Sequence, residues 1–210
     1  MKIEFISDVV CPWCAIGLNS LERALERIGD ALEVDLLIRP FELNPKMPPE
    51  GESADIYLAR KYGLNAEQMA RNHALLCTRG AAVGFQFGER KQVWNSFDAH
   101  RLLHWAGMEG HQRDLKHALL RAYHGRGENI SAHEVLVALA REAGLDGDSA
   151  RDLLQSDAYG GAVRTSEHRW ERLGIQSVPT ALIDGRHLIQ GGHQPEVFET
   201  ALRQIAAGEV

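Results

Sequence analysis

Only three of the 210 residues are cysteine. A secreted domain stapled by disulfides would carry more and space them along the chain. Positive charge is also short: 23 Lys and Arg stand against 29 Asp and Glu, a net charge of -6 at pH 7. No basic block relieves that balance, so a nucleic-acid partner is not expected. No apolar run approaches the ~20 residues needed to span a bilayer, so no membrane partner is expected either. The N-terminus lacks a basic segment followed by a long apolar core and a small-residue cleavage site. Met1 leads directly into a strand pattern, and a cytoplasmic location is the expectation. Internal repeats and low-complexity tracts are absent. With 44% hydrophobic residues over this length, the chain is expected to form one large domain or one domain carrying an insertion.

Two of the three cysteines stand together as Cys11-Pro12-Trp13-Cys14. The run Lys2 to Ser7 reads as a buried strand, and a helical pattern follows with Ile16, Leu18, Leu21, Leu25 and Ile28. Gly29 and Asp30 punctuate it. Leu32 to Ile38 reads as a second strand, ended by Pro40. One βαβ unit is thus complete, with the CxxC at its first strand-to-helix turn.

The character then changes. A Pro- and Gly-rich loop spans Pro45 to Glu52. Helical patterns follow at Ala54–Tyr62, Ala66–Leu76, Phe97–Ala106, Asp114–Tyr123, Ala132–Ala143 and Asp148–Leu154, with almost no strand signal. Ser131, three before Glu134, reads as a capping box. A further helix runs from about Gly161 to Leu173. Thr180–Ile183 and His187–Gln190 flank Asp184-Gly185, a hairpin signal. A last helix begins at Pro195. Without its helical block, the order β-α-β, then α-β-β-α, is a thioredoxin-like α/β domain. The expected division is residues 1–44 and 161–210 for that domain, and 45–160 for an all-helical insertion.

At a helix start, unpaired N–H groups and the helix dipole favour negative charge. They lower the Cys11 thiol pKa from about 8.5 toward or below 7. The Cys11 thiolate is expected to attack a disulfide, and Cys14, one turn on and more buried, to resolve the mixed disulfide. Pro12 suits the first turn because its missing N–H costs little there. In the thioredoxin-like architecture a cis proline before the late hairpin faces the CxxC, so the Val178–Pro179 bond is expected to be cis. Pro179 would shape the binding edge, and a partner strand could pair with the backbone near Val178.

The chain resembles the DsbA-like branch of the thioredoxin superfamily, in particular its FrnE-like cytoplasmic proteins. The resemblance rests on Asp8 to Cys14, Arg39-Pro40-Phe41-Glu42-Leu43-Asn44-Pro45, Asn95 to Leu102 and Val178-Pro179-Thr180, and covers nearly the full length. It implies a thioredoxin fold with a helical insertion, thiol–disulfide oxidoreductase activity and Cys11 as nucleophile. Gly191-Gly192-His193-Gln194-Pro195 departs from the Gly-Ala-Gln-Pro-like stretch usual in the family. The inner pair Pro12-Trp13 lacks the inner histidine of periplasmic DsbA, and a less oxidising disulfide is expected. No cofactor is expected to be required; protein or small-molecule disulfides and thiols are the expected partners, with glutathione a possible co-substrate. The chain is also similar to kappa-class glutathione transferases and 2-hydroxychromene-2-carboxylate isomerases. Those typically have serine where Cys11 stands and lack the second cysteine, so a glutathione-dependent isomerase or transferase is the alternative enzyme class. A non-enzymatic holdase using the helical groove is a third.

Zinc needs more ligands than the CxxC offers, and Cys77, in a helical pattern after Leu75-Leu76, reads as a buried structural thiol. His100 and His104 share a helix face without an HExxH pattern, so no metal site is expected. Asn95, His100 and Arg101 are candidates to line a substrate groove. The competing assignment makes Asn95 a cap and pairs Arg101 with an acidic residue. Trp13 is assigned to the substrate surface with Pro12 and Val178; Trp94, Trp105 and Trp170 are more often core.

Overall fold

The structure, a computed structural model, describes residues 1–209. Strand β1 (Lys2–Ser7) is buried from Ile3 onward because it lies inside the sheet. It feeds helix α1 (Pro12–Ile28), whose buried side includes Cys14, Ile16, Leu18 and Leu21. Strand β2 (Asp35–Pro40) then pairs parallel with β1. The sequence places this strand three residues earlier. Its start is set by register: Lys2 pairs with Asp35, and no β1 residue remains to pair with the preceding turn. The Met1 ammonium instead donates to the Glu33 carbonyl at 2.8 Å.

A short antiparallel pair, β3 (Glu52–Ser53) and β4 (Gln92–Val93), brackets helices α2 (Ala54–Tyr62) and α3 (Ala66–Ala82). Two residues per strand leave no periodicity to read. Helix α3 continues past Leu76, and its N-terminus holds a capping box between Asn65 and Gln68. The box expected at Ser131 does not form. The single Ser131 hydroxyl proton is shared by two acceptors, Asn129 Oδ1 at 2.7 Å and the Pro49 carbonyl at 3.0 Å, and the helix there starts at His133.

The remaining helices are α4 (Phe97–Met108), α5 (Gln112–Leu120), α6 (His133–Glu142), α7 (Gly147–Gln155) and α8 (Gly160–Arg172). Helix α5 runs on as one π-helical turn, Arg121–Gly125. Strands β5 (Thr180–Ile183) and β6 (His187–Gln190) form the expected hairpin. Asp184 and Gly185 both have positive φ, 48° and 69°, the requirement of a type I′ turn. Helix α9 (Pro195–Ala207) closes the chain on α1. The sheet order is β2-β1-β5-β6, with β5 antiparallel to β1.

Two large apolar clusters result. One is built on the sheet with α1 and α9 and includes Phe5, Ala15, Ile16, Leu18, Phe198 and Leu120. The other lies among α4 to α7 and includes Leu102, Leu119, Tyr123, Leu136 and Leu154. Val9 and Val10, from the turn before the CxxC, belong to the helical cluster. The turn is therefore seated on one core while the helix it starts is seated on the other.

Candidate active site

Cys11 is the N-cap of α1, with extended backbone (φ -86°, ψ 114°), and Pro12 occupies the first turn. No acidic residue lies in that turn, so the positive end of the helix is left uncompensated. Both thiols are free. Cys11 is 4% exposed and Cys14 not at all. A hydrogen bond from the Cys14 side chain is the main influence lowering the Cys11 pKa; burial opposes it, and the Cys14 and Trp13 N–H groups reinforce it. Burial drives the Cys14 thiol well above its ordinary value, and charge on Cys11 adds to that rise. One thiol is made acidic and the other is kept protonated.

The opposite wall is the β5 approach. The Val178–Pro179 bond is cis, and the Cys11 Sγ lies 3.6 Å from the Val178 carbonyl oxygen. Pro179 reaches α1 because residue 17 is glycine: a Cβ there would fall 2.9 Å from Pro179 Cγ and 3.4 Å from Phe5 Cζ. Gly192 allows a similar approach, since its Cβ would lie 2.9 Å from the Trp13 carbonyl oxygen. Pro12, Trp13 and Val178 are half-buried around the thiol. Cys11, Pro12, Trp13, Cys14, Val178 and Pro179 thus converge.

Asn95, His100 and Arg101 do not join them as a groove lining. Asn95 donates to the Met47 carbonyl and accepts from the Phe97 N–H, both at 2.8 Å. Arg101 is 4% exposed. Its guanidinium donates to the carbonyls of Leu153, Ser156 and Ala158 and to Asp98. With four of its five N–H donors turned inward, Arg101 ties the α7–α8 connection to α4. His100 is buried with its Nε2 3.2 Å from Asp8 Oδ1, and its influence on the site passes through Asp8. Cys77 departs from expectation too: it is half-buried rather than buried, with Sγ 3.5 Å from His73 Nε2. Trp170 is fully buried and Trp105 nearly so, while the His104 ring lies 5.2 Å from that of Tyr159.

Sequence reasoning passed over the groups that hold the turn. The buried Asp8 carboxylate accepts from the Val10 and Leu43 N–H groups at 3.3 and 2.7 Å. Burial pulls its pKa up, but the His100 hydrogen bond and charge, with the Leu43 N–H, outweigh that and lower it. The next two carbonyls are also taken. His124 donates from Nε2 to the Val9 carbonyl at 2.8 Å, which fixes its tautomer. Burial pushes the His124 pKa down to about 3, so the ring is neutral. Arg90 donates to the Val10 carbonyl at 3.3 Å and lies over the Tyr123 ring. Tyr123 and His124 both come from the π-helical turn, a distortion frequent at functional sites. Lys116, on α5, is fully buried beside this cluster. Only Asp8 had a sequence signal, its place three residues before Cys11 in the motif.

An acidic thiol at a helix start, a second buried thiol one turn on, and a proline-bounded backbone edge define the thiol–disulfide oxidoreductase fold of the DsbA type. The chain belongs to the DSBA-like thioredoxin domain family, whose match spans residues 2–203. It is 33% identical to a probable DsbA oxidoreductase, SCO1869 from Streptomyces coelicolor, with a TM-score of 0.93 over 100% of this chain and 91% of that one. It is 28% identical to YwbO, an uncharacterized protein of Bacillus subtilis (strain 168), over 96% of each chain. Two more distant structures share the fold alone. One is a 2-hydroxychromene-2-carboxylate isomerase (16% identity, TM-score 0.73, 100% of this chain and 98% of that one). The other is the cytosolic disulfide reductase DsbM from Pseudomonas aeruginosa with GSH (19%, TM-score 0.67, 99% and 100%).

Proposed function

We propose that this chain exchanges disulfides through its CxxC, with Cys11 as nucleophile and Cys14 as resolving thiol, acting on protein or small-molecule disulfides. The observation that carries the reading is the asymmetry of the two thiols. Cys11 is acidified at the N-cap, and Cys14 is buried and protonated one turn away. The Cys11 thiolate attacks a substrate disulfide, one substrate thiolate leaves, and Cys14 then closes the Cys11–Cys14 disulfide and releases the other. Pro12, Trp13, Val178 and Pro179 form the contact surface, and an extended substrate segment pairs with the Val178 backbone.

Glutathione fits as a co-substrate: DsbM was solved with GSH, and the Val178 edge suits a short extended peptide. No further cofactor enters the scheme. A cytoplasmic location is part of the proposal, in line with the cytosolic DsbM; no helix among the described residues is long and apolar enough to cross a membrane. Residues 1–44 and 161–210 serve as the redox domain, and residues 45–160 roof it. The intact cysteine pair is what sets this reading above a glutathione-dependent isomerase.

The test is a redox titration against glutathione buffers, with trapping of mixed disulfides on a Cys14→Ser variant. A two-electron transition more reducing than the about -120 mV of DsbA is expected, together with adducts on Cys11. Disulfide activity left unchanged by Cys11→Ser would overturn the proposal.

A further inference from the structure

Closing the Cys11–Cys14 disulfide requires Cys14 to lose a proton in a place that opposes the thiolate. Cys14 has no exposed surface, and burial favours its protonated form. A base must therefore be supplied from within the protein.

Cys11 and Lys116 are the charged side chains that act most directly on Cys14, and the titratable groups that hold the preceding turn are committed. The Asp8 carboxylate is held by His100, Val10 N–H and Leu43 N–H. His100 is engaged by Asp8 in return. His124 spends its Nε2 proton on the Val9 carbonyl and, with a pKa of about 3, is a weak base. Arg90 holds the Val10 carbonyl and does not deprotonate in proteins. Cys11 is occupied, because its sulfur is already in the mixed disulfide.

Lys116 remains. It is 0% exposed, and its Nζ has no hydrogen-bond partner among the described residues. Side chains of α5 and the turn after it reach α1 and its approach in a readable register. Arg113 and His117 bind Glu22 at one end, and His124, just beyond α5, binds the Val9 carbonyl at the other. Lys116 and Leu120 fall between them, facing the stretch of α1 that carries Cys14; Leu120 packs in the same cluster as Ala15, Ile16 and Leu18. An unpaired buried ammonium is costly, so burial lowers the Lys116 pKa, while charge on Cys14, Asp8 and Cys11 acts in the opposite direction. Burial shifts amine and thiol toward each other.

We propose that Lys116 is the proton acceptor for the resolving thiol, a positioning residue that acts on substrate only through Cys14. The inference rests on Cys14 resolving a Cys11 mixed disulfide. The neutral amine takes the Cys14 proton. The Cys14 thiolate attacks the Cys11 Sγ. The Cys11–Cys14 S–S bond forms, the bond from Cys11 to substrate sulfur breaks, and the substrate leaves as a thiolate that is then protonated. The cysteine pair is oxidised by two electrons and the substrate disulfide is reduced. In the reverse direction the Lys116 ammonium returns the proton to Cys14.

The experiment follows the reduced protein reacting with the chromogenic disulfide DTNB in stopped flow. Attack by Cys11 releases one thionitrobenzoate, and resolution by Cys14 releases a second. In Lys116→Met the first phase should persist. The second should slow by about 10²-fold near neutral pH, its midpoint moving up by about one unit or more. A second phase with unchanged rate and pH profile overturns the role of Lys116. Absence of any second phase from the unmodified protein overturns the CxxC reading itself, so the two failures are distinct. A measurement on the unmodified chain guards against misfolding of the variant. By ¹⁵N NMR, Lys116 should titrate at lower pH in the Cys11–Cys14 disulfide form than in the dithiol form, because the disulfide removes the thiolate that favours its charge. Identical titration in both forms overturns the proposal.

Discussion

Gly17 and Pro179 meet across the active site, with the place of a Gly17 Cβ only 2.9 Å from Pro179 Cγ. Alanine in a helix interior is ordinarily better than glycine by about 1 kcal/mol. Here the added methyl also overpacks a rigid ring, at a cost of about 1–3 kcal/mol. The second effect wins where neither neighbour is a flexible side chain, and Phe5 closes the other side. Gly17→Ala should therefore lower the Tm and slow the reaction of Cys11 with disulfides. Differential scanning calorimetry and disulfide-exchange rates check both; a stabilised, fully active variant contradicts the account.

Asp8→Asn separates two roles of one carboxylate. Its charged hydrogen bonds to His100 and two N–H groups are worth about 1.5–3 kcal/mol each, so the variant should unfold at lower denaturant concentration. The Asp8 charge also raises the Cys11 pKa, so its removal should make Cys11 more acidic. Alkylation of Cys11 against pH should give a lower midpoint than in the unmodified protein. Because the folded Asp8 pKa is depressed, its stabilisation is complete above the unfolded value of about 3.9. It is lost as pH falls below that through the folded value.

His124 carries the same sign of linkage in a higher pH window. It is neutral in the fold, with a pKa near 3 against an ordinary 6.5. Between those values the unfolded chain binds the proton and the folded chain does not, so stability falls as pH drops from 6.5 toward 3. The slope from this group approaches about 1.4 kcal/mol per pH unit. His124→Phe should flatten that slope in urea unfolding series and, at pH 7, cost about 1–3 kcal/mol for the unpaired Val9 carbonyl.

Arg101→Met tests the structural assignment of that residue. Three carbonyls and Asp98 lose their donor, a loss of about 3–5 kcal/mol on the scale of breaking a buried ion pair. Thermal unfolding should register it. The KM for a small disulfide should stay as in the unmodified protein, because the guanidinium faces α7 and α8 rather than the thiols.

The local chemistry of the chain was the legible part. Asp184-Gly185 read as a hairpin because the two positive φ values favour those residue types. Pro195 read as a helix start, and the CxxC as a helix N-terminus, for equally local reasons. The errors arose where a distant partner overrode a local preference. Ser131 had the pattern of a cap, yet its hydroxyl is drawn away from the helix by Asn129 and by the Pro49 carbonyl, 82 positions away. The start of β2 shifted because β1 supplied no partner for its first three residues.

The thiols, their spacing and their place at the head of α1 depend on contiguous residues, and so the redox chemistry was readable before any fold was known. The control of that chemistry was not. Asp8 and His100 are 92 positions apart, and Val9 and His124 are 115 apart. Lys116 sits between Leu115 and His117 like any polar residue on an amphipathic helix. It becomes a buried amine, unpartnered among the described residues, only because α5 packs side chains into both apolar clusters. Burial and charge at a site are sums over everything that surrounds it, and those sums exist only once the chain has closed.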